Sequence, residues 1–144
     1  MKQTFEFKQS SHLNPELYDP ATRTLNAHKL TGRWVNTDPG TRGLAQILIE
    51  QDGSTFRVGA VGVGANGLIT WPMTRAKGMA NLEEEAGQRA LALAVIFEFG
   101  FMTAEAYLRV NKGVLVIVLF CTFLDDSERS SYVNREFFYR KIDS

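Results

Sequence analysis

The chain carries one cysteine, Cys121, and two histidines, His12 and His28. A lone thiol forms no intrachain disulfide, so packing and hydrogen bonds must hold the fold. No C-x-x-C or H-x-x-x-H spacing occurs, and no metal site is expected. There is no run of about 18 apolar residues, so no membrane-spanning helix is predicted. The first residues, MKQTFEFKQSS, lack the apolar stretch of a signal peptide, and a cytoplasmic address is expected. An excess of charge of one sign is also missing: 16 basic residues balance 16 acidic ones. A nucleic-acid partner is therefore not expected, because such proteins carry a basic surplus that displaces counterions.

What is present is the material of one domain: 144 residues, 44% hydrophobic and 22% charged, enough to bury a single core. Residues 1–29 contain both histidines and two of the four prolines, with no hydrophobic period. They read as an N-terminal arm lying across a domain that spans 30–144. Within the arm, Asn14 could cap a short helical turn with Pro15 at its first position.

From Leu30 onward, short alternating segments are separated by turn signals. TGRWVN (31–36), RGLAQILIEQ (42–51), TFRVGAVGV (55–63) and GLITWPMTRA (67–76) come first. ALALAVIFEF (90–99), MTAEAYLRV (102–110), VLVIVLFCTF (114–123) and SYVNREFFYRK (131–141) follow. Asp52-Gly53 and Asn111-Lys112-Gly113 are hairpin signals. NLEEEAGQRA (81–90) has helix-forming residues, with Asn81 as a cap, so a helix over 81–89 competes with the alternation that begins near Ala90. Many short strands with short connections predict an all-β fold, a single eight-stranded antiparallel up-and-down barrel. A closed barrel of that size holds its own side chains and one small ligand.

GVGANG at 62–67 matches the G-x-G-x-x-G dinucleotide fingerprint, which works only when a helix follows the glycines. Here Leu68-Ile69-Thr70-Trp71-Pro72 follows, a β-branched and aromatic stretch broken by proline. No nucleotide cofactor is expected, nor any other. Gly59, Gly62 and Gly64 suit instead a bulge, a barrel corner, or close approach by another backbone such as the arm.

Leu30-Thr31-Gly32-Arg33-Trp34-Val35-Asn36 resembles the G-x-W signature of the calycins, which include lipocalins, fatty-acid-binding proteins and avidins. The longer pattern, GRWVN-x-D-P-x-T-R-G with a late REFFYR, is similar to small bacterial calycin-like proteins of uncharacterised function. The resemblance covers most of 30–141. It implies that Trp34 closes one end of a barrel beside Gly32, with Arg135 or Arg140 stacked on its ring, Arg140 being the preferred partner. The cysteine pair and the run of biotin-contacting polar residues of an avidin are absent, so the fold carries over without a ligand.

Function is then expected from the interior. The leading expectation is a small, largely apolar ligand lined by Trp71, Phe97 and Tyr107, with Glu98 or Arg57 as polar contact. Glu98, Glu105, Arg109 and Glu136 stand among apolar neighbours. If inward, a carboxylate needs a partner such as Arg57, Arg109 or Arg135. A buried acid with a raised pKa would allow general acid–base chemistry, so a cyclase or isomerase of a natural-product pathway is the competing expectation. A third is an interaction module with a filled core. Cys121, within LFCTF, is expected to be buried and inert. The aromatic residues exceed what one face can bury, so an outward patch along Val114–Phe120 or Phe137–Tyr139, and with it a homodimer, is also expected.

Overall fold

The barrel's strands follow from two-residue alternation, large apolar inward and polar or aromatic outward. The structure, a computed structural model, describes residues 29–80, 92–126 and 128–142. Both histidines, the arm before Lys29 and the segment 81–89 lie outside the described residues. The strands are β1 (Gly32–Asn36), β2 (Leu44–Asp52), β3 (Thr55–Gly64), β4 (Gly67–Met79), β5 (Ala92–Glu98), β6 (Met102–Asn111), β7 (Val114–Phe123) and β8 (Tyr132–Arg140). Each pairs antiparallel with the next, and β8 pairs with β1 to close an up-and-down barrel of eight strands. No helix is present among the described residues, and none is therefore long and apolar enough to cross a membrane.

Inward positions are easiest to see on β6 and β7. Ala104, Ala106 and Leu108 are buried on β6, and Leu115, Ile117, Leu119 and Cys121 on β7. Small inward residues on β6 leave room for Phe97, which is buried on the neighbouring β5. Along β7 the outward positions are also apolar, Val114, Val116, Val118 and Phe120. Phe120, Phe137 and Tyr139 are exposed on the outer face of β7 and β8. Across β2, β3 and β4 the outer face is charged instead, with Glu50, Arg57 and Arg75 in one cross-strand row.

The hairpins match their residues. Lys112 and Gly113 both take positive φ, 52° and 82°, as a two-residue primed turn demands. Gly64 to Gly67 forms the β3–β4 turn between antiparallel strands. The fingerprint-like glycines therefore belong to a hairpin with no helix after them. Register slips at Ala45 in β2 and at Pro72 and Met73 in β4, opposite Gly59, mark bulges that tighten the sheet's bend.

One end of the barrel is sealed. Trp34 and Leu30 are each 1% exposed, and Phe138, two residues before Arg140 on the same face of β8, is fully buried. The Trp34 indole Nε1–H donates to the Leu30 carbonyl at 2.9 Å. The Arg140 guanidinium lies 4.7 Å from the Trp34 ring centroid and donates from Nη2 to the Lys29 carbonyl at 2.5 Å. Gly32 beneath it has φ +125°, a conformation that only glycine adopts without strain. Burying each large apolar side chain of this plug contributes about 1.5–3 kcal/mol.

Candidate functional site

The opposite end is open. The β1–β2 connection, the β3–β4 turn and the Phe99–Phe101 turn surround a cavity of about 980 Å³. One wall is apolar and is built on β4, β7 and the β5–β6 turn: Ile69, Trp71, Phe99, Phe101 and Leu119. Trp71 faces inward because its cross-strand partner is the buried Ala60. Phe97 and Phe99 fix its ring by edge contacts, at centroid distances of 5.1 and 4.9 Å and interplanar angles of 68° and 70°. Gly62 on β3 makes room for the indole, since a Cβ there would stand 2.9 Å from Nε1. Gly64 does the same for Ile69, and Gly59 for Met73. The atoms packed against these glycines are chiefly β4 side chains, and the arm expected to approach them lies outside the described residues.

The facing wall is polar and belongs to β1, β8 and the loop between β1 and β2. Glu136 points inward because it shares its face of β8 with buried Phe138. Its Oε2 accepts from the Asn36 amide and from the Thr41 hydroxyl, both at 2.5 Å. Its Oε1 accepts from the Leu44 backbone N–H at 3.0 Å and the Asn134 amide at 2.9 Å. A carboxylate has about four acceptor positions, and these are occupied. Asn36 is the one buried polar residue among those described, 6% exposed. It also donates to the Leu44 carbonyl at 2.8 Å and accepts from the Asp38 N–H at 2.8 Å. Glycine at 43 lets the Glu136 carboxylate sit against the backbone, because a Cβ there would overlap it.

Among the described residues, neither the Trp71 indole N–H nor the Arg42 guanidinium has a hydrogen-bond or ion-pair partner. Tyr132 also lines the cavity. Partial burial pushes its phenol up to about 12, helped by a hydrogen bond with Cys121 and by the negative charge of Glu136. Cys121 is 1% exposed. Burial raises its thiol, against the opposing effect of its bond with Tyr132. Both groups are neutral at pH 7, and Cys121 has no activated thiolate to offer.

The expected site residues separate by face. Trp71 lines the cavity and Phe97 lies buried against its ring. Arg57, Glu98 and Tyr107 do not reach the interior. Glu98 follows inward Phe97 directly, and successive strand residues point to opposite faces. Tyr107 stands between buried Ala106 and Leu108, so its ring lies outside against Phe120, and its hydroxyl donates to Glu105 at 2.8 Å. Arg57 lies between buried Phe56 and Val58 and is exposed. Arg140 covers Trp34, whereas Arg135, one face removed, lies over Phe137 at 5.5 Å. An inward Glu136 does not pair with an arginine as expected. Two amides, a hydroxyl and a backbone N–H satisfy it.

Sequence reasoning missed Asn36, Thr41, Arg42 and Asn134 as a set. The signal was the parity of β8: if Arg140 covers the inward Trp34, then Phe138, Glu136 and Asn134 face inward too. Comparison with protein-family models, with curated proteins and with solved structures returns no match for this chain.

Proposed function

We propose that the protein is a calycin-like barrel that binds a small, largely apolar molecule in its open half. The observation that carries this reading is the asymmetric cavity of about 980 Å³, aromatic on one wall and polar on the other. Ligand pockets have about this size and this mixture, with an apolar lining and a few polar groups that set orientation. Trp71, Phe99 and Leu119 would supply burial. The free indole N–H and the Arg42 guanidinium favour a ligand that presents hydrogen-bond acceptors.

The open volume counts against an interaction module with a filled core. A cyclase or isomerase would have to act through cavity shape, because Glu136 has no acceptor position left for a substrate proton and Cys121 and Tyr132 are neutral. Native mass spectrometry of protein purified gently from its host tests the binding reading. An added mass of a few hundred daltons, lost on denaturation and absent from Trp71→Ala, is the expected result. The reading fails if the protein stays unloaded and titration with N-phenyl-1-naphthylamine, a neutral fluorescent probe, gives no saturable signal.

A further inference from the structure

We propose that Glu136 is a positioning residue that holds the β1–β2 connection, residues 37–43, as a fixed wall of the cavity mouth and so limits how fast a ligand enters and leaves. This rests on the binding reading above.

The connection has little else to hold it. Thr37, Asp38, Pro39 and Gly40 are exposed, so no apolar burial anchors its outer half. Its internal bonds, from Gly40 N–H to Asp38 Oδ1 and from Thr41 N–H to the Asp38 carbonyl, shape the turn without attaching it to the barrel, and Asp38 N–H ties its start only to Asn36 Oδ1 at the end of β1. Attachment comes from its flanks. On the β3 side, Val63 N–H donates to the Gly43 carbonyl at 2.8 Å. On the β8 side, Thr37 N–H donates to the Phe137 carbonyl at 2.9 Å, and Glu136 gathers Asn36, Thr41 and Leu44 around one carboxylate. Thr41 is the loop residue this carboxylate reaches. Its hydroxyl also accepts from the Gly43 N–H at 3.0 Å, so a single side chain transmits the position of Glu136 to the loop's backbone. Hydrogen bonds to an ionised acceptor are shorter and stronger than neutral ones. Gly43 lets the carboxylate approach the backbone where any side chain would displace it. Since Asn36, Thr41, Gly43 and Glu136 all line the cavity, the contacts that fix the loop also fix the rim.

Glu136→Gln is the first variant. It leaves one oxygen acceptor and turns an NH₂ donor toward other donors. Thr41→Val, the second, removes the loop's own bond and keeps the carboxylate, so it reports even if the first folds poorly. Amide hydrogen exchange at Leu44 reads the latch without any ligand. Stopped-flow fluorescence with N-phenyl-1-naphthylamine reads entry and exit. In both variants Leu44 exchange is expected to accelerate about tenfold while Leu115, in the distant β7, stays protected. Probe association and dissociation rates should rise together by about threefold with the Kd nearly unchanged. A merely structural role would not produce that rate change without an affinity change. Unchanged Leu44 exchange in both variants overturns the latch. Faster exchange with both probe rates unchanged overturns its control of entry. If the native protein takes up no probe, the binding reading falls with its control of entry, and Leu44 exchange alone then decides whether Glu136 anchors the loop.

Discussion

Strands β1 and β8 build both ends of the barrel, and they build them differently. At the sealed end β1 offers Trp34 and β8 answers with Arg140, a flat cation on a flat ring. At the open end β1 offers Asn36 and β8 answers with Glu136, a carboxylate ringed by donors. The first pair excludes water by apolar area: Trp34, Leu30 and Phe138 leave almost no exposed surface. The second arranges polar groups around a volume left open, and β3 contributes glycines where side chains would otherwise close it. The same two strands thus carry a sealed end and an open end along their length. Aromatic area seals one end, and hydrogen bonds shape the other.

The largest expected effect falls on the sealed end. Trp34→Ala should cost about 3–5 kcal/mol, as other large-to-small core replacements do, read as a lower urea midpoint with an unchanged slope. Trp71→Ala, at the open end, should cost distinctly less, because its ring already borders the cavity. Equal losses at the two tryptophans would break the contrast. Gly43→Ala comes next. Its new methyl must displace the Glu136 carboxylate, and overpacking of that kind costs about 1–3 kcal/mol.

Binding should reverse the ranking. Trp71→Ala is expected to weaken N-phenyl-1-naphthylamine about tenfold, equivalent to about 1.4 kcal/mol. Arg140→Lys should leave binding unchanged and lower stability by about 0.5–1 kcal/mol, because a compact ammonium replaces the guanidinium that lies over the Trp34 ring. The chain has two tryptophans, so probe-induced quenching should come from Trp71 and vanish in Trp71→Phe. Quenching that persists there would place the probe beside Trp34 instead.

This division was unevenly legible in the sequence. The eight strands could be read with their ends placed to within three residues, because alternation at two-residue spacing survives wherever one face is buried. The contact of Arg140 with Trp34 was expected only through the resemblance of GRWVN and the late REFFYR to calycin motifs, which left Arg135 as the alternative. The cavity was not legible. Phe97 and Glu98 are neighbours on one strand and cannot both face inward, a parity constraint that excludes Glu98 once Phe97 is placed. Tyr107 misleads for another reason: the inward β6 positions Met102, Ala104, Ala106 and Leu108 are all smaller, so the largest side chain on that strand is outside. The ring of donors around Glu136 joins residues from β1, the following loop, the start of β2 and β8, whose proximity exists only after the barrel closes. Local pattern does not encode that closure distance, although the shared parity of Glu136 and Arg140 does point Glu136 inward.

The smallest expected effect tests the open end by pH. Tyr132 has its phenol raised from 10.0 to about 12 in the folded protein, chiefly by burial and next by Cys121. In the unfolded chain the phenol loses its proton near its ordinary value, whereas in the folded chain it retains it to higher pH. Between those values the folded state binds more protons, so stability falls as pH rises. The contribution is intact below pH 10 and gone above about 12. Tyr132 is 49% exposed, so solvent screening keeps the effect modest. Tyr132→Phe removes the phenol's titration, and its thermal midpoint should decline less steeply than the native one across that window. The Cys121 thiol, raised by burial and losing its bonding partner in the variant, still titrates and leaves some slope. A double variant, Tyr132→Phe with Cys121→Ala, should flatten the decline further. Identical slopes in native protein and both variants would show that this pair is no more desolvated than an exposed one, and that the polar wall of the cavity is wetter than the sealed end by more than its hydrogen bonds indicate.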